Sequence, residues 1–299
     1  MGPSRTMRLF SELFTLPSLR AFLVCACMCS GPFCRAATEV KRTITWLDIG
    51  EAGSETAENA DRRSLVDEAT IKVFVAEIPE FSHSVIHVNL ARALAMSKAD
   101  DGYCMTGIAK SAEREQFLYF TKVTGWTLPH RIFALKAASG KFSSHLNDKG
   151  KMTLGSLLSD PGLKGAREAG GSFGAEVDSL FEHAQAKVQN LAHNGTAYKM
   201  LASLRFDWVI DDPVVAASLI SHLPNAADFV SYDIAEEPPV QTNYAACSRG
   251  PIGKDAVDKI NRSIEQAGPF PVWQQVYEDA LDPVMRQELE SLRASVPTR

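Results

Sequence analysis

The chain has 299 residues, 45% of them hydrophobic and 22% charged, and a formal net charge of −5. That balance is ordinary for a globular protein and excludes disordered, collagenous and disulfide-scaffold classes. Its acidity argues against nucleic acid or an anionic bilayer surface as main partner, because both attract a surplus of Lys and Arg.

The first 36 residues carry Arg5, Arg8, Arg20 and Arg35 against Glu12, so the chain beyond them is more acidic still. A basic leader ends at Arg20, an apolar run covers 21–29, and Ser30-Gly31-Pro32 breaks any helix. This is the layout of a secretory signal peptide, expected to be cut after Ala36, with Ala37 the next choice. The run is far shorter than the roughly 20 residues that span a bilayer. The rival reading is a lipobox, Val24-Cys25-Ala26-Cys27, with Cys27 lipidated as the new N-terminus. The rest of the chain suits two lobes of roughly 100–150 residues better than one compact unit.

Periodicity then predicts a strand at 43–47 and an acidic loop over 51–70 that lacks a clear period and holds at most a short helix. Further strands are expected at 71–76, 103–108, 131–135, 165–169, 207–210 and 244–248. Helical patterns fall at 85–97, 173–186, 196–204, 214–221, 256–266, 272–280 and 283–293. Alternation of this kind indicates α/β units with parallel strands.

Two extended, proline-bearing segments, 121–130 with Pro129 and 231–242 with Pro238-Pro239, read as crossings between lobes. The expected division is therefore a signal peptide at 1–36, lobe one at 37–125, lobe two at 126–235, and a return to lobe one at 236–299. A cleft between lobes is where ligands prefer to sit. Four of the six cysteines lie in the leader, which leaves Cys104 and Cys247, each in a β-prone run. In an exported protein that pair invites a disulfide between neighbouring strands; two buried thiols are the alternative.

The densest segment for chemistry is 103–121. A strand ends at Gly107, a turn follows through Ala109, and Ser111-x-x-Arg114 places a guanidinium just beyond the strand's C-terminal end. Open α/β sheets bind ligands at that edge, and a planar, permanently charged fork matches a carboxylate. The alternative is a surface pair with Glu113 or Glu115.

With Phe120-Thr121 before the crossing, this segment resembles the polar-amino-acid branch of the bacterial extracellular solute-binding proteins. Leu204-Arg205-Phe206-Asp207-Trp208-Val209-Ile210-Asp211-Asp212 and the helix at 253–264 with Ile260-Asn261 are similar to that family as well. The resemblance covers roughly 41–295. It implies a two-lobed type II periplasmic-binding-protein fold, with two mixed sheets, flanking helices and a two-segment hinge. It also implies that Arg114 holds a ligand carboxylate, Gly107 and Ala109 present backbone groups, and Asp212 receives an α-amino group. The Ser172 region would supply donors at a helix N-terminus, a natural anion site. Departures are the absence of an aromatic Pro-Pro-Phe-like loop after 45–50, Ala109 where a side-chain donor is usual, and Leu204 in place of Gly.

Other features compete. Gly170-Gly171-Ser172-Phe173-Gly174 fits a nucleophile elbow, with Asp212 and His222 following in triad order, which would make a serine hydrolase. A dehydratase on the binding fold is the other enzyme reading. His83 and His87 stand at i and i+4, a zinc-compatible spacing, but with no third ligand they read as solvent-facing residues at a helix start. Trp46, Trp208 and Trp273 read as core, and Trp126, in a crossing, as cleft wall. The sequons at Asn194 and Asn261 carry no meaning in a bacterium. The expectation is a periplasmic, monomeric solute-binding protein with no metal or cofactor. It would capture a small zwitterionic or anionic solute for a membrane transporter or a sensor.

Overall fold

The structure, a computed structural model, describes residues 42–50, 62–268 and 271–294. The expected signal peptide, its cleavage site and Cys27 lie outside the described residues. No described helix is long and apolar enough to cross a membrane.

The chain opens with β1 (Thr43–Ile49), α1 (Arg62–Glu77), β2 (Ser82–Val88), α2 (Leu90–Ala99) and β3 (Tyr103–Ile108). A 3-10 turn at Arg114–Gln116 leads to β4 (Leu118–Thr127). Next come β5 (Arg131–Leu135), α3 (Leu154–Leu158), β6 (Lys164–Glu168), α4 (Ala175–Glu182), β7 (Lys187–Leu191), α5 (Asn194–Ala202), β8 (Trp208–Asp211), α6 (Pro213–Ser221) and β9 (Phe229–Asp233). Finally β10 (Gln241–Ser248) is followed by α7 (Pro251–Gln266), α8 (Val272–Ala280) and α9 (Pro283–Arg293).

Two five-stranded sheets result, in the orders β2-β1-β3-β10-β4 and β7-β6-β8-β5-β9. In each, four strands run in one direction and the strand next to one edge is antiparallel to both its neighbours, β10 in the first sheet and β5 in the second. The chain crosses from the first sheet to the second at 128–130 and returns at 234–240. The inner strands β1, β5 and β8 are covered on both faces, which is why they read as nearly continuous apolar runs. On β1, Ile44 and Trp46 pack with Phe74, Ile260 and Trp273, while Leu47 and Ile49 face Leu90, Ala93 and Met105. The second sheet divides in the same way, Ile132 and Trp208 to one side and Phe133 and Val209 to the other.

Three local expectations are corrected. Residues 71–76 are not a strand, and the second half of the acidic 51–70 segment is not a loop, because both belong to α1. Ile71, Phe74 and Ile78 are the fully buried positions there, a helical spacing that the β-prone Ile-Lys-Val-Phe-Val run conceals. The helix expected at 85–97 divides into β2 and α2. The break is Asn89, whose side chain accepts from the Arg92 N–H at 2.9 Å as an N-cap, ahead of which β-branched Val85, Ile86 and Val88 extend beside β1. His83 and His87 therefore sit on a strand rather than at a helix start. Trp46 Nε1 donates to His83 Nδ1 at 3.2 Å, and His87 Nδ1 lies 2.8 Å from Asp48. No group of three or more potential metal ligands occurs among the described residues.

Cys104 and Cys247 are bonded to each other across β3 and β10, at directly paired positions with neither side chain exposed. The C-terminal helices meet both crossings. Leu128 and Val240 from the crossings, Val214 of α6, and Leu281 and Leu289 beside and within α9 form one buried cluster, with Trp126 and Tyr277 against it.

Candidate ligand-binding cleft

A cleft of about 980 Å3, counting space open to solvent, lies between the strand ends of the two sheets. Gly107, Ala109, Arg114, Ser172 and Asp212 all line it. Trp126 does not; its indole belongs to the cluster under the C-terminal helices, so the expected cleft wall is corrected to a hinge-side core position.

Gly107 occupies a left-handed turn at φ +61°, and a Cβ there would stand 2.8 Å from Asp67 Oδ1. The same oxygen accepts from Thr106 Oγ1 at 2.8 Å, so α1 is pressed against the end of β3. Beyond this turn Arg114 is 4% exposed, which excludes a surface pair as its main engagement. Its Nη1 donates to the Ala109 carbonyl at 2.6 Å and its Nη2 crosses the cleft to the Gly170 carbonyl at 2.7 Å. Burial, with Arg63 nearby, lowers Arg114 to about 10, which leaves it a cation at neutral pH.

Arg63 makes a second link between the sheets, with Nη1 3.0 Å from Glu168 Oε2 at the end of β6. Both cleft guanidiniums are thus engaged by the last residue of β6 and the short turn that follows it. Sequence reading missed Arg63, Asp67 and Glu168. The first two share one turn of α1, and with that helix read as loop and strand no pattern placed them together.

In the second lobe Asp212 caps α6, its Oδ1 accepting from Val214 N–H at 2.7 Å and Val215 N–H at 3.2 Å ahead of Pro213 in the first turn. Burial raises its carboxyl above the usual value, against the pull of His130 and those two N–H groups. Asp211 is pushed well above the carboxylate range by burial, with Glu168 and Asp212 adding to it. It accepts from Asn194 Nδ2 at 3.1 Å, Tyr198 OH at 3.2 Å and its neighbour's N–H at 2.9 Å. Carboxyl groups packed this closely favour an arriving ammonium, which relieves their mutual repulsion.

Ser172 Oγ donates to Asp178 Oδ2 at 2.6 Å, and the Phe173 N–H donates to the other oxygen of the same carboxylate at 2.8 Å. His222 bonds the Ser218 carbonyl at 2.8 Å at the end of α6. Ser172, His222 and Asp212 are each bonded elsewhere, so the hydrolase triad is not assembled. Because the Ser172 hydroxyl is already donated to Asp178, it offers a solute only an acceptor, and Ser172→Ala is expected to cost at most about 1 kcal/mol of binding, roughly fivefold in affinity. Titration calorimetry measures it.

No family model and no curated protein matches the chain. Solved structures do. An ancestral arginine-binding protein bound to arginine is 16% identical with a TM-score of 0.60, over 81% of this chain and 99% of that one. An amino acid ABC transporter substrate-binding protein from Streptococcus pneumoniae, bound to L-arginine, is 15% identical at 0.58, over 80% and 93%. The ancestral amino acid-binding protein AncCDT-1, a precursor of cyclohexadienyl dehydratase, is 15% identical at 0.55, over 80% and 95%. This chain has the two-lobed periplasmic-binding-protein fold. In that fold the sheets are the cores of the two lobes, 128–130 and 234–240 are the segments that cross between them, and the cleft is the space between the lobes.

Proposed function

We propose that the protein is an exported, monomeric solute-binding protein that captures an amino-acid-like zwitterion between its lobes. It would pass that solute to a membrane transporter or a sensor, in the periplasm or tethered to a membrane through Cys27. The observation that carries the reading is a cation and an anion on opposite walls of one cleft, Arg114 from the edge of lobe one and Asp212 from the edge of lobe two. An α-carboxylate satisfies the first and an α-ammonium the second, so one solute bridges the lobes and stabilises closure. Lobe one (37–125 with 236–299) and lobe two (126–235) move about the two crossings in this reading. The carbonyl of Gly170 and the carboxylate of Glu168, which engage Arg114 and Arg63 across the cleft, yield to the incoming solute.

Thermal unfolding of the mature protein against a panel of amino acids and organic acids tests this, with L-arginine and L-glutamine included because relatives of the same fold bind them. A true ligand at 100 times its dissociation constant adds about 2.7 kcal/mol. No upward shift across amino acids, dicarboxylates and betaines would sink the proposal.

A further inference from the structure

The two segments that join the lobes are tied by one pair of ionisable side chains. His130 closes the first crossing, and its Nδ1 lies 3.1 Å from Oε1 of Glu237 in the second. The Glu237 side chain is 1% exposed, and its other oxygen accepts from Gln241 Nε2 at the start of β10. The His130 ring lines the cleft and rests edge-on against Phe173, ring centres 4.9 Å apart. Its remaining nitrogen, Nε2, has no hydrogen-bond partner among the described residues.

The charged groups around this ring act in one direction. Glu237 faces it from the second crossing, and Asp212 and Asp211 from the end of β8 and the start of α6. The next residue, Arg131, is held by Asp233 at 3.1 Å and by Glu288 of α9. A buried carboxylate is costly without a cation beside it, so Glu237 is best satisfied when His130 is protonated.

We propose that His130 and Glu237 form a proton-dependent tie between the two crossing segments, which holds the lobes at the angle seen here and releases them as the proton is lost. Burial by itself lowers the affinity of His130 for its proton, but Glu237, with Asp212 and Asp211 behind it, raises the ring above the ordinary histidine value of 6.5. The stabilisation is therefore fully present below about pH 6.5 and disappears as pH rises through the higher folded value. Closure becomes looser toward alkaline pH.

Small-angle scattering and thermal unfolding of the ligand-free protein from pH 6 to 9 test this, and because no solute is used a failure here leaves the proposed function standing. His130→Gln keeps a neutral donor toward Glu237, and Glu237→Gln keeps an acceptor toward His130. The expected result is a radius of gyration that grows with pH in the wild type and is large and pH-independent in both variants. The melting temperature of His130→Gln should fall below that of the wild type by about 2–4 °C at pH 6, a gap that closes by pH 9. A wild-type radius unchanged across the range, or variant profiles that run parallel to it, would overturn the tie. If one variant fails to fold, the other carries the same readout.

Discussion

Arg114→Ala is expected to weaken solute binding by about 30-fold to several thousand-fold, the 2–5 kcal/mol typical of removing one partner from a desolvated charge pair. The loss should be confined to the liganded state. In the free protein the guanidinium contacts two carbonyls, those of Ala109 and Gly170, on the walls of the cleft, which water can hydrate in its absence. Arg114→Lys should rescue only partly, since an ammonium cannot make the bidentate contact.

Asp212 needs a different substitution, because its Oδ1 also caps α6. Asp212→Ala removes cap and charge together, whereas Asp212→Asn keeps a good cap and removes only the charge. The asparagine variant is expected to match Arg114→Ala in lost affinity while keeping the wild-type melting temperature. A raised Asp212 also gives wild-type affinity a direction with pH, falling as acid protonates the carboxylate that receives the ammonium. Titration calorimetry of the four proteins with the strongest panel hit measures all of this. Near-wild-type affinity in Arg114→Ala would remove the carboxylate clamp from the site.

The cystine carries the second large effect. Cys104 and Cys247 are 143 residues apart in sequence, so their bond closes a very long loop. In the chain-entropy model that loop is worth about 5 kcal/mol, a large part of the stability of a typical domain. The double substitution to alanine is expected to lower the melting temperature by about 10–20 °C, at about 2–4 °C per kcal/mol for a protein of this size. Denaturant titration of the wild type with and without reductant, beside the double variant, checks it. Equal midpoints in all three would show that the bond contributes nothing to stability.

The parts of the fold legible in the sequence are those where one period dominates. The strands at 103–108 and 131–135 and the helices at 272–280 and 283–293 have the bounds that periodicity implies. The failures share a cause, since β-prone residues lay where tertiary packing decides the conformation. Ile71, Val73 and Val75 alternate like a strand, yet burial follows Ile71, Phe74 and Ile78 around a helix. β7 and β9 went unread because their positions are largely exposed or half-buried and show no apolar alternation. Around the cleft, residues attached to a local motif were legible: Gly107 and Arg114 after a strand, Ser172 in a glycine turn, Asp212 before Pro213. Arg63, His130 and Glu168 were not, because each acquires its place through a partner far along the chain. Glu168 lies 105 residues from Arg63, and Glu237 lies 107 from His130.

The position of the cystine relative to the second sheet has a consequence for damage. Every residue of lobe two lies between Cys104 and Cys247, so the whole lobe is carried on a covalent ring whose clasp sits in the other lobe. Its surface includes an exposed turn at 147–150, where a protease can reach Lys149. A cut there opens the ring without dividing the molecule, because both new ends remain joined through β3 and β10. Nicked protein would migrate as one species until reduced, and could keep its cleft assembled after the backbone has been severed.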